Sequence, residues 1–329
     1  MKALQVTTLG EPIDALTVVD IDAPTPGPGQ VAVRVRAAAA NFPDVLMCRG
    51  LYQERPELPF VPGVEACGDV IAVGDGVSSE LIGQRVIGGT ELPFGSFAEV
   101  AIMPADQIYP APSSLDDAQA AALLVGYQTG WFALHRRAHI QPGETLLVHA
   151  AAGGVGTAAI ELGKAAGAKV IAVVGSEAKR ETALSLVADI VVNRATEDFV
   201  TIVKAATGGR GADVIFDPVG GETYRKSTKC IAFEGRIVII GFTSGEIQSV
   251  ALNHALVKNY SILGLHWGLY RSEDPAAVSA CMDELTSLAN SGQITPLVSQ
   301  RHGFDTWPAA MQELANGTTV GRLALIPSH

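Results

Sequence analysis

The chain has 329 residues, enough for two domains that each bury a sizeable core. Hydrophobic residues make up 48% of the sequence and charged residues 17%, which excludes a disordered chain. The 23 basic and 34 acidic residues give a net charge of −11, which argues against a nucleic-acid-binding surface.

The sequence contains none of the usual signals for export or membrane insertion. Its first residues include no long apolar segment, so we expect no secretory signal. No run of 18 apolar residues occurs, so we expect no membrane span. The four cysteines, Cys48, Cys67, Cys230 and Cys281, are scattered in a way typical of reduced thiols. We therefore expect a cytoplasmic protein.

The first 110 residues read as short strands separated by glycine and proline. Residues 30–36 alternate between apolar and polar side chains after a turn rich in proline and glycine. Residues 68–74, 83–88 and 95–101 show a similar pattern. This part of the chain predicts a β-rich, barrel-like domain with long loops.

From residue 116 onward helical segments take over, first at 116–124 and 127–137. Strands and helices then alternate regularly, which is the pattern of a doubly wound parallel sheet in an α/β fold. The predicted strands are 145–149, 169–174, 190–192, 213–217, 235–240 and 261–265. The predicted helices between them are 155–166, 177–187, 198–207, 222–230 and 249–258.

The last part of the chain returns to a mixed pattern, with helices at 275–291 and 305–315 and strands near 294–299 and 322–326. Because the strand-rich beginning needs partners, we expect this tail to complete it. The first domain is then discontinuous, with the second inserted into it.

A glycine-rich turn follows the first strand of the alternating series, in the segment Ala150-Ala-Ala-Gly-Gly-Val-Gly156. Gly153 and Gly156 have the spacing of the dinucleotide-binding fingerprint, although Ala151 stands in place of its first glycine. Glycine lets the backbone approach a pyrophosphate, whose charge is stabilised by free N–H groups at the helix N-terminus. We therefore predict that the cofactor-binding residues of this turn are Ala152, Gly153, Gly154, Val155 and Gly156.

The second strand of the series indicates which dinucleotide binds. It ends without the carboxylate that usually holds the ribose 2′-hydroxyl of NAD. Ser176, Lys179 and Arg194 follow, and such donors suit a 2′-phosphate, which favours NADPH. Alternatively, Ser176 is only a helix N-cap and Lys179 a solvated helix residue. The neighbouring Glu177 keeps this alternative open.

Several stretches together resemble the zinc-free quinone oxidoreductase (zeta-crystallin-like) branch of the medium-chain dehydrogenase/reductase superfamily. They are Asn41-Phe-Pro-Asp44, Gly50-Leu-Tyr52, Leu58-Pro-Phe-Val-Pro-Gly-Val-Glu65 with Gly68, the segment 150–156, and Ser176-x-x-Lys179. The resemblance implies a GroES-like catalytic domain (1–120 and 263–329), a Rossmann NADPH-binding domain (121–262) and a homodimer. The chain departs from the branch in having Gly175 in place of a frequent serine and Arg194 in place of a frequent tyrosine.

The same resemblance argues against a metal site. Zinc-dependent relatives have a cysteine where this chain has Asn41, and Gly-His-Glu where it has Gly63-Val64-Glu65. Residues 88–97 also lack the four closely spaced cysteines of those relatives. The seven histidines form no H-E-x-x-H motif, and the His135/His139 pair has no evident third ligand. We expect no metal.

Without zinc, the resemblance favours reduction of a quinone or an electron-poor alkene. Tyr52 is then the candidate donor of a hydrogen bond or proton to the acceptor oxygen, and its alternative role is packing. Asn41 is expected to orient substrate or nicotinamide, unless it only forms a turn. Asp44 is expected to organise the same loop.

By the same resemblance, Thr129 is a neighbour of the nicotinamide or the pyrophosphate. Gly241 and Phe242 follow the fifth strand of the series, where the ligand crevice of an open α/β sheet lies. Asp217 is either part of that crevice or a helix cap. His266 and Trp267 belong either to a substrate pocket or to a subunit interface.

Three functions remain open from the sequence. The leading one is an NADPH-dependent quinone oxidoreductase that acts on a small molecule. The second is a reductase of α,β-unsaturated carbonyls or enoyl thioesters, because residues 149–156 also resemble the enoyl reductase modules of polyketide synthases. The third is a non-catalytic NADPH-binding or structural protein.

Overall fold

The computed structural model describes residues 1–327, and residues 328 and 329, including His329, lie outside the described part. The chain divides into two units, Met1–Val125 with Ala289–His329, and Gly126–Leu288. We call them the N-terminal unit and the cofactor unit. The ranges that the sequence analysis assigns to the catalytic domain (1–120 and 263–329) and to the cofactor domain (121–262) remain predictions.

Seven strands and three helices form the N-terminal part of the first unit, and a fourth helix spans its boundary at residue 125. The strands are β1 (Lys2–Val6), β2 (Leu16–Asp20), β3 (Gln30–Ala39), β4 (Glu65–Val73), β5 (Arg85–Gly89), β6 (Val100–Pro104) and β7 (Ile108–Pro110). The helices are α1 (Pro12–Ala15), α2 (Phe42–Cys48), α3 (Asp117–Ala121) and α4 (Leu124–Trp131), with short 3-10 turns at Ser79–Leu81 and Ala105–Gln107.

The prediction of a strand at 95–101 is mostly wrong, because β6 begins only at Val100. The backbone N–H groups of Ser96 and Phe97 bond instead to the carbonyl groups of Gly63 and Pro62. The segment 95–99 is therefore irregular, because its hydrogen bonds are divided between the residues before β4 and strand β1, where Leu4 donates to Phe97 and Glu99 donates to Lys2.

The cofactor unit contains the alternating elements that the sequence predicts. Its strands are β8 (Thr145–Val148), β9 (Lys169–Val174), β10 (Ile190–Asn193), β11 (Ala212–Asp217), β12 (Ile231–Ile239) and β13 (Ser261–Gly264). Its helices are α5 (Gly154–Ala165), α6 (Glu177–Ser185), α7 (Phe199–Ala206), α8 (Gly221–Ser227), α9 (Leu252–Lys258), α10 (Trp267–Glu273) and α11 (Pro275–Asn290), the last of which crosses into the N-terminal unit.

The six strands form one parallel sheet in the order β10-β9-β8-β11-β12-β13. This is the order of a Rossmann fold, and it reverses between β8 and β11. Helices cover both faces of such a sheet, so its central strands read as continuous apolar runs. Accordingly every residue of β8 and β11 is buried.

A π-helical segment, Phe132–Arg137, continues α4 without a break. In it the N–H of Ala138 bonds to the carbonyl of Ala133, five residues earlier. The sequence predicts a continuous helix here and does not reveal the wider turn. Such segments are rare and commonly lie near functional sites.

The tail completes the sheet of the N-terminal unit with β14 (Val298–His302) and β15 (Arg322–Leu325), and adds a 3-10 turn (Phe304–Thr306) and helix α12 (Trp307–Ala315). That sheet runs β14-β15-β3-β4-β5-β7, with β6 paired to β3. The strand predicted near 294–299 is therefore too early by about four residues, because Pro296 lacks an N–H donor and pairing starts at Val298. The predicted α/β fold class is confirmed. Among the described residues, no helix is both long and apolar enough to cross a membrane.

Candidate functional site

The turn between β8 and α5 has the geometry of an anion-binding site. Ala150 adopts the left-handed conformation with φ 49°, and Gly153 is the extended N-cap of α5. A Cβ atom on Gly156 would overlap the Ala150 carbonyl oxygen, so this position requires glycine. The N–H groups of the first helical turn have no acceptor within the helix and point outward at its positive end. The turn thus fits a pyrophosphate.

The ends of β9 and β10 bring two cations together. The parallel pairing places Asn193 beside Val174, and the N–H of Arg194 bonds to the Val174 carbonyl at 3.0 Å. Partial burial lowers the pKa of Lys179, and the positive charge of Arg194 lowers it further. Two cations that repel each other at the tip of β9 match the charge of a 2′-phosphate.

Ser176 occupies the N-cap position of α6. Within the described chain, its side chain accepts no capping hydrogen bond from that helix. The alternative that Ser176 serves only as a cap therefore has no hydrogen bond to support it.

Glu177 does not leave an uncompensated negative charge at this tip. Its carboxylate pairs with Arg180 at 2.9 Å and accepts a hydrogen bond from the Asn193 amide at 3.2 Å. Arg180 also pairs with Glu197, so this arginine is part of a structural network between α6 and the end of β10. The negative charge of Glu177 is thus partly neutralised, so it repels a 2′-phosphate bound nearby less strongly.

The loops after β11 and β12 are joined by backbone hydrogen bonds. Thr243 and Ser244 donate to the carbonyl groups of Pro218 and Val219. Within the first of these loops, Asp217 is buried and accepts hydrogen bonds from the N–H groups of Val219 and Gly220, at 2.9 and 3.0 Å. Asp217 therefore organises its own loop at the start of α8.

Gly241 and Phe242 begin the loop after β12, and the Phe242 side chain is 38% exposed. The loop after β11, which is hydrogen-bonded to this loop, starts at Asp217. Burial raises the pKa of the Asp217 carboxyl group. These residues lie at the carboxyl edge of the sheet, which is where ligands bind in open α/β folds.

Thr129 lies in α4, and its neighbour Gln128 is fully buried. The Gln128 Oε1 atom accepts a hydrogen bond from the Trp267 indole N–H at 2.8 Å. Trp267 begins α10, three residues after the carboxyl end of β13. This hydrogen bond places Gln128 at the same edge of the sheet as the loops after β11 and β12.

In the N-terminal unit, Asn41 and Asp44 belong to a buried polar cluster at the start of α2. The Asp44 carboxylate accepts from the N–H of Asn41 at 2.7 Å and from the N–H of Gly63 at 3.1 Å. The Asn41 side-chain amide donates to Glu65 Oε1 at 2.8 Å and to the Ala39 carbonyl at 3.2 Å. These hydrogen bonds connect the start of α2 to residues 63–65, so the segments before and after residues 49–57 are held together.

Glu65 is the centre of this cluster and is fully buried. Besides Asn41, it binds the backbone N–H of Val125 at 2.7 Å and forms an ion pair with the buried Arg322 of β15. Removing one partner of a buried ion pair costs roughly 3–5 kcal/mol. The Glu65–Arg322 pair therefore connects β15 to β4.

The electrostatics of the cluster favour a protonated Asp44. Burial, together with the charge of Glu65, raises the pKa of Asp44 from its ordinary 3.8 to about 7. The N–H groups of Asn41 and Gly63 oppose this shift. Burial also raises the pKa of Glu65, against the opposing effect of the Arg322 charge. The cluster thus carries a carboxyl group that can change its charge near neutral pH.

Tyr52 lies in the irregular segment between α2 and β4. It is partly buried, and its ring packs against the hydrophobic core of the N-terminal unit. The structure therefore supports its packing role directly. The predicted role as a donor to the acceptor oxygen remains a prediction.

Comparisons with known proteins place the chain in a family. Residues 27–113 match the model of the alcohol dehydrogenase GroES-like domain, and residues 154–285 match that of the zinc-binding dehydrogenase domain. A quinone oxidoreductase-like protein 2 homolog from Nematostella vectensis is 39% identical over 291 residues, which cover 87% of this chain and 78% of that protein. The chain belongs to the quinone oxidoreductase branch of the medium-chain dehydrogenase/reductase superfamily.

The chain is also similar to two proteins whose names indicate an activity. The Escherichia coli quinone oxidoreductase, solved in complex with NADPH, is 32% identical and has a TM-score of 0.91 over 99% of this chain and 100% of that chain. A phenolphthiocerol/phthiocerol polyketide synthase subunit of Mycobacterium tuberculosis is 32% identical over 318 residues, which cover 96% of this chain and 14% of that protein.

One matching family model is named for zinc, but the donor atoms in this member do not suit that metal. Asn41 and Glu65 bind each other and Glu65 binds Arg322, a set without the nitrogen and sulfur donors that zinc prefers. In residues 1–327, no three His, Cys, Asp or Glu side chains come together as a metal site. The Asn41–Glu65–Arg322 cluster itself therefore does not fit a zinc ion.

Arg322 and Gln128 are two buried polar residues that the sequence analysis does not identify as site candidates. Arg322 could be found as a charged residue at the start of an otherwise apolar strand. Gln128 lies in an apolar helical segment, where a buried glutamine is uncommon. Their partners cannot be read from the sequence, because the contacts join distant parts of the chain.

Proposed function

We propose that this protein is an NADPH-dependent quinone oxidoreductase that works without zinc. The Asn41–Glu65–Arg322 cluster is the observation that carries the proposal, because these side chains bind each other at the position where zinc-dependent relatives have metal ligands. Reduction of a quinone places the developing negative charge on a conjugated oxygen, which needs a hydrogen-bond donor rather than a Lewis acid.

The cofactor unit supplies binding groups for NADPH along the carboxyl edge of its sheet. The first turn of α5, from Gly154 to Gly156, offers N–H groups to the pyrophosphate. Ser176, Lys179 and Arg194 offer a hydroxyl and two cations to the 2′-phosphate. The NADPH-bound E. coli relative supports this assignment.

On the other half of the same edge, Thr129, Gly241 and Phe242 are proposed to contact the nicotinamide. When bound, NADPH supplies the hydride for the reaction. The apolar side chain of Phe242 would exclude water from this half of the cofactor site.

In the N-terminal unit, Tyr52 is proposed to donate a hydrogen bond to the acceptor oxygen as charge develops on it. Asn41 is proposed to orient the acceptor or the nicotinamide, with its side chain aligned by Glu65. Asp44 acts indirectly, because it binds the N–H groups of Asn41 and Gly63 and so fixes the segments beside residue 52. We call Asp44 a positioning residue.

A second candidate function is reduction of an α,β-unsaturated carbonyl or enoyl thioester. The match that covers 96% of this chain within a polyketide synthase subunit favours it. The chemistry is closely related, since hydride addition also moves negative charge to a conjugated oxygen. A non-catalytic NADPH-binding protein remains the third candidate, because the fold alone does not establish turnover.

The predicted homodimer is also kept as a proposal. In the cofactor unit, Leu252, Leu256 and Val257 of α9 are each about three-quarters exposed, beside the edge strand β13. Exposed apolar groups of this kind are common at protein interfaces.

A cytoplasmic location is proposed from the four cysteines, all of which are free and buried.

NADPH oxidation followed at 340 nm tests the proposed function. The acceptors are 1,4-benzoquinone, 9,10-phenanthrenequinone, an enone and crotonyl-CoA, with NADH as the control cofactor. Turnover of the quinones with a preference for NADPH is the expected result. Turnover of only the enone or the thioester would transfer the function to alkene reduction, and NADPH binding without oxidation would favour the binding protein.

A further inference from the structure

The carboxamide of Gln128 has a fixed orientation. Its partner, the Trp267 indole nitrogen, is only a donor, so the atom 2.8 Å away must be the Gln128 oxygen. Exchanging the oxygen and the nitrogen of the amide would set two N–H groups against each other. The NH2 group must therefore point away from Trp267.

This NH2 group is a buried donor without an acceptor. Gln128 has no exposed surface, and in residues 1–327 its Nε2 atom has no hydrogen-bond partner. An unpaired buried donor is unfavourable, because it loses its hydrogen bonds to water and gains none in return. A methionine or leucine would fill the same space without this cost. The unpaired donor therefore indicates a missing acceptor.

Its position within the fold suggests which acceptor is missing. The N–H of Leu265 bonds to the Ile239 carbonyl and extends the sheet to the residue before His266 and Trp267. Helix α10 packs on the π-helical segment that continues α4, with the rings of Tyr270 and Phe132 4.3 Å apart. The Gln128 carboxamide is thus held near the carboxyl ends of β12 and β13.

The two halves of this edge bind different parts of a dinucleotide. The anion-binding turn and the two cations belong to β8, β9 and β10, which form the half proposed to hold the adenosine phosphate. In a doubly wound sheet the second mononucleotide lies over the other half. Gln128 is therefore on the half that would hold the nicotinamide and the acceptor.

We propose that the Gln128 NH2 group binds a conjugated carbonyl oxygen, and so makes Gln128 a specificity-determining residue. The oxygen belongs either to the nicotinamide carboxamide or to the acceptor, and both have the same acceptor chemistry. Trp267 is a positioning residue, since its N–H holds the Gln128 oxygen and leaves the NH2 group to face the ligand. This inference rests on the proposed function for its ligands.

The substitution Gln128→Met tests the proposal, because methionine has a similar volume and no donor. Binding of NADPH and of 2′-phospho-ADP-ribose, which lacks nicotinamide, is measured by calorimetry, and KM is measured for 1,4-benzoquinone. Weaker NADPH binding by about tenfold with unchanged 2′-phospho-ADP-ribose binding would identify the carboxamide. Unchanged NADPH binding with a KM about tenfold higher would identify the acceptor. Either result supports the proposal.

Trp267→Phe keeps an aromatic ring but removes the N–H, so the Gln128 amide can turn over. We expect it to shift the same ligand constant in the same direction as Gln128→Met. The surface substitution Gln293→Met serves as the control. Unchanged constants in Gln128→Met would overturn the proposal and assign the donor to a buried water. Equal weakening of both nucleotides with a lower Tm would also overturn it, in favour of a structural role. The nucleotide-binding measurements need no turnover, so a failure of the quinone activity leaves the test of the nicotinamide carboxamide intact.

Discussion

Tyr52 can lose its hydroxyl without losing its packing, because its ring contacts the core of the N-terminal unit. We expect Tyr52→Phe to lower kcat for quinones by roughly 10²-fold, the size of a typical general-acid or hydrogen-bonding contribution. NADPH affinity should stay nearly unchanged. Steady-state kinetics and NADPH titration check this, with Tyr109→Phe as the control. Equal activity in the mutant would remove Tyr52 from the mechanism.

Lys179 is proposed to distinguish NADPH from NADH. Its half-buried ammonium lies close to Arg194, whose positive charge contributes to the lowered pKa of Lys179. Lys179→Ala should weaken NADPH by about tenfold to a hundredfold and NADH by much less, because only NADPH has the 2′-phosphate. The exposed Lys229→Ala is the matched control. A similar loss for both cofactors would argue against the 2′-phosphate contact.

Asp44 should make stability depend on pH. Its pKa is about 7 in the folded protein and 3.8 ordinarily, so between these values the folded state holds a proton that the unfolded state has lost. Stability should therefore fall as pH rises. From pH 5 to pH 7 the loss is about 2–3 kcal/mol relative to Asp44→Asn, which has no titrating group. Urea unfolding of both proteins at each pH measures it. A pH-independent difference would contradict the raised pKa.

At the scale of elements, the turn into α5 depends on one glycine. A Cβ atom on Gly156 would overlap the Ala150 carbonyl, so Gly156→Ala must displace the turn that presents the N–H groups. We expect NADPH affinity to fall by at least tenfold together with a lower Tm. Gly303→Ala, where a Cβ would meet no atom, is the control. Normal NADPH binding in Gly156→Ala would show that this turn does not hold the cofactor.

The elements differ in how well the sequence predicts them. The predicted strands and helices of the cofactor unit agree with the structure to within about four residues, because buried parallel strands carry continuous apolar runs, but helix α10 was not predicted. The segment 95–99 was predicted as strand but is irregular, because its backbone hydrogen bonds are divided between the loop before β4 and strand β1. The π-helical turn at Phe132–Arg137 has no sequence signature of comparable strength.

At the scale of the whole molecule, the proposed zinc-free mechanism predicts resistance to chelation. Extended dialysis against EDTA or 1,10-phenanthroline should leave NADPH-dependent quinone turnover unchanged, because Asn41 and Glu65 are committed to each other and to Arg322. Elemental analysis should find well below one zinc ion per chain. Stoichiometric zinc whose removal abolishes turnover would overturn the zinc-free assignment.

The sequence by itself determined the fold class, the family and most of the proposed cofactor site. These depend on local patterns: apolar runs of fixed period, a glycine turn after a strand, and the lack of a carboxylate at the tip of β9. Residues at the ends of neighbouring parallel strands meet at one edge, so local position already predicts that Ser176 and Arg194 lie close together.

Only the tertiary structure decided which buried polar groups pair. Arg322 lies 257 residues from Glu65, and Trp267 lies 139 residues from Gln128. No local periodicity relates such residues, because their contact depends on how whole elements pack. The cost of leaving a polar group unpaired acts only after burial, so the Asn41–Glu65–Arg322 cluster and the unpaired Gln128 donor become visible only in the folded chain.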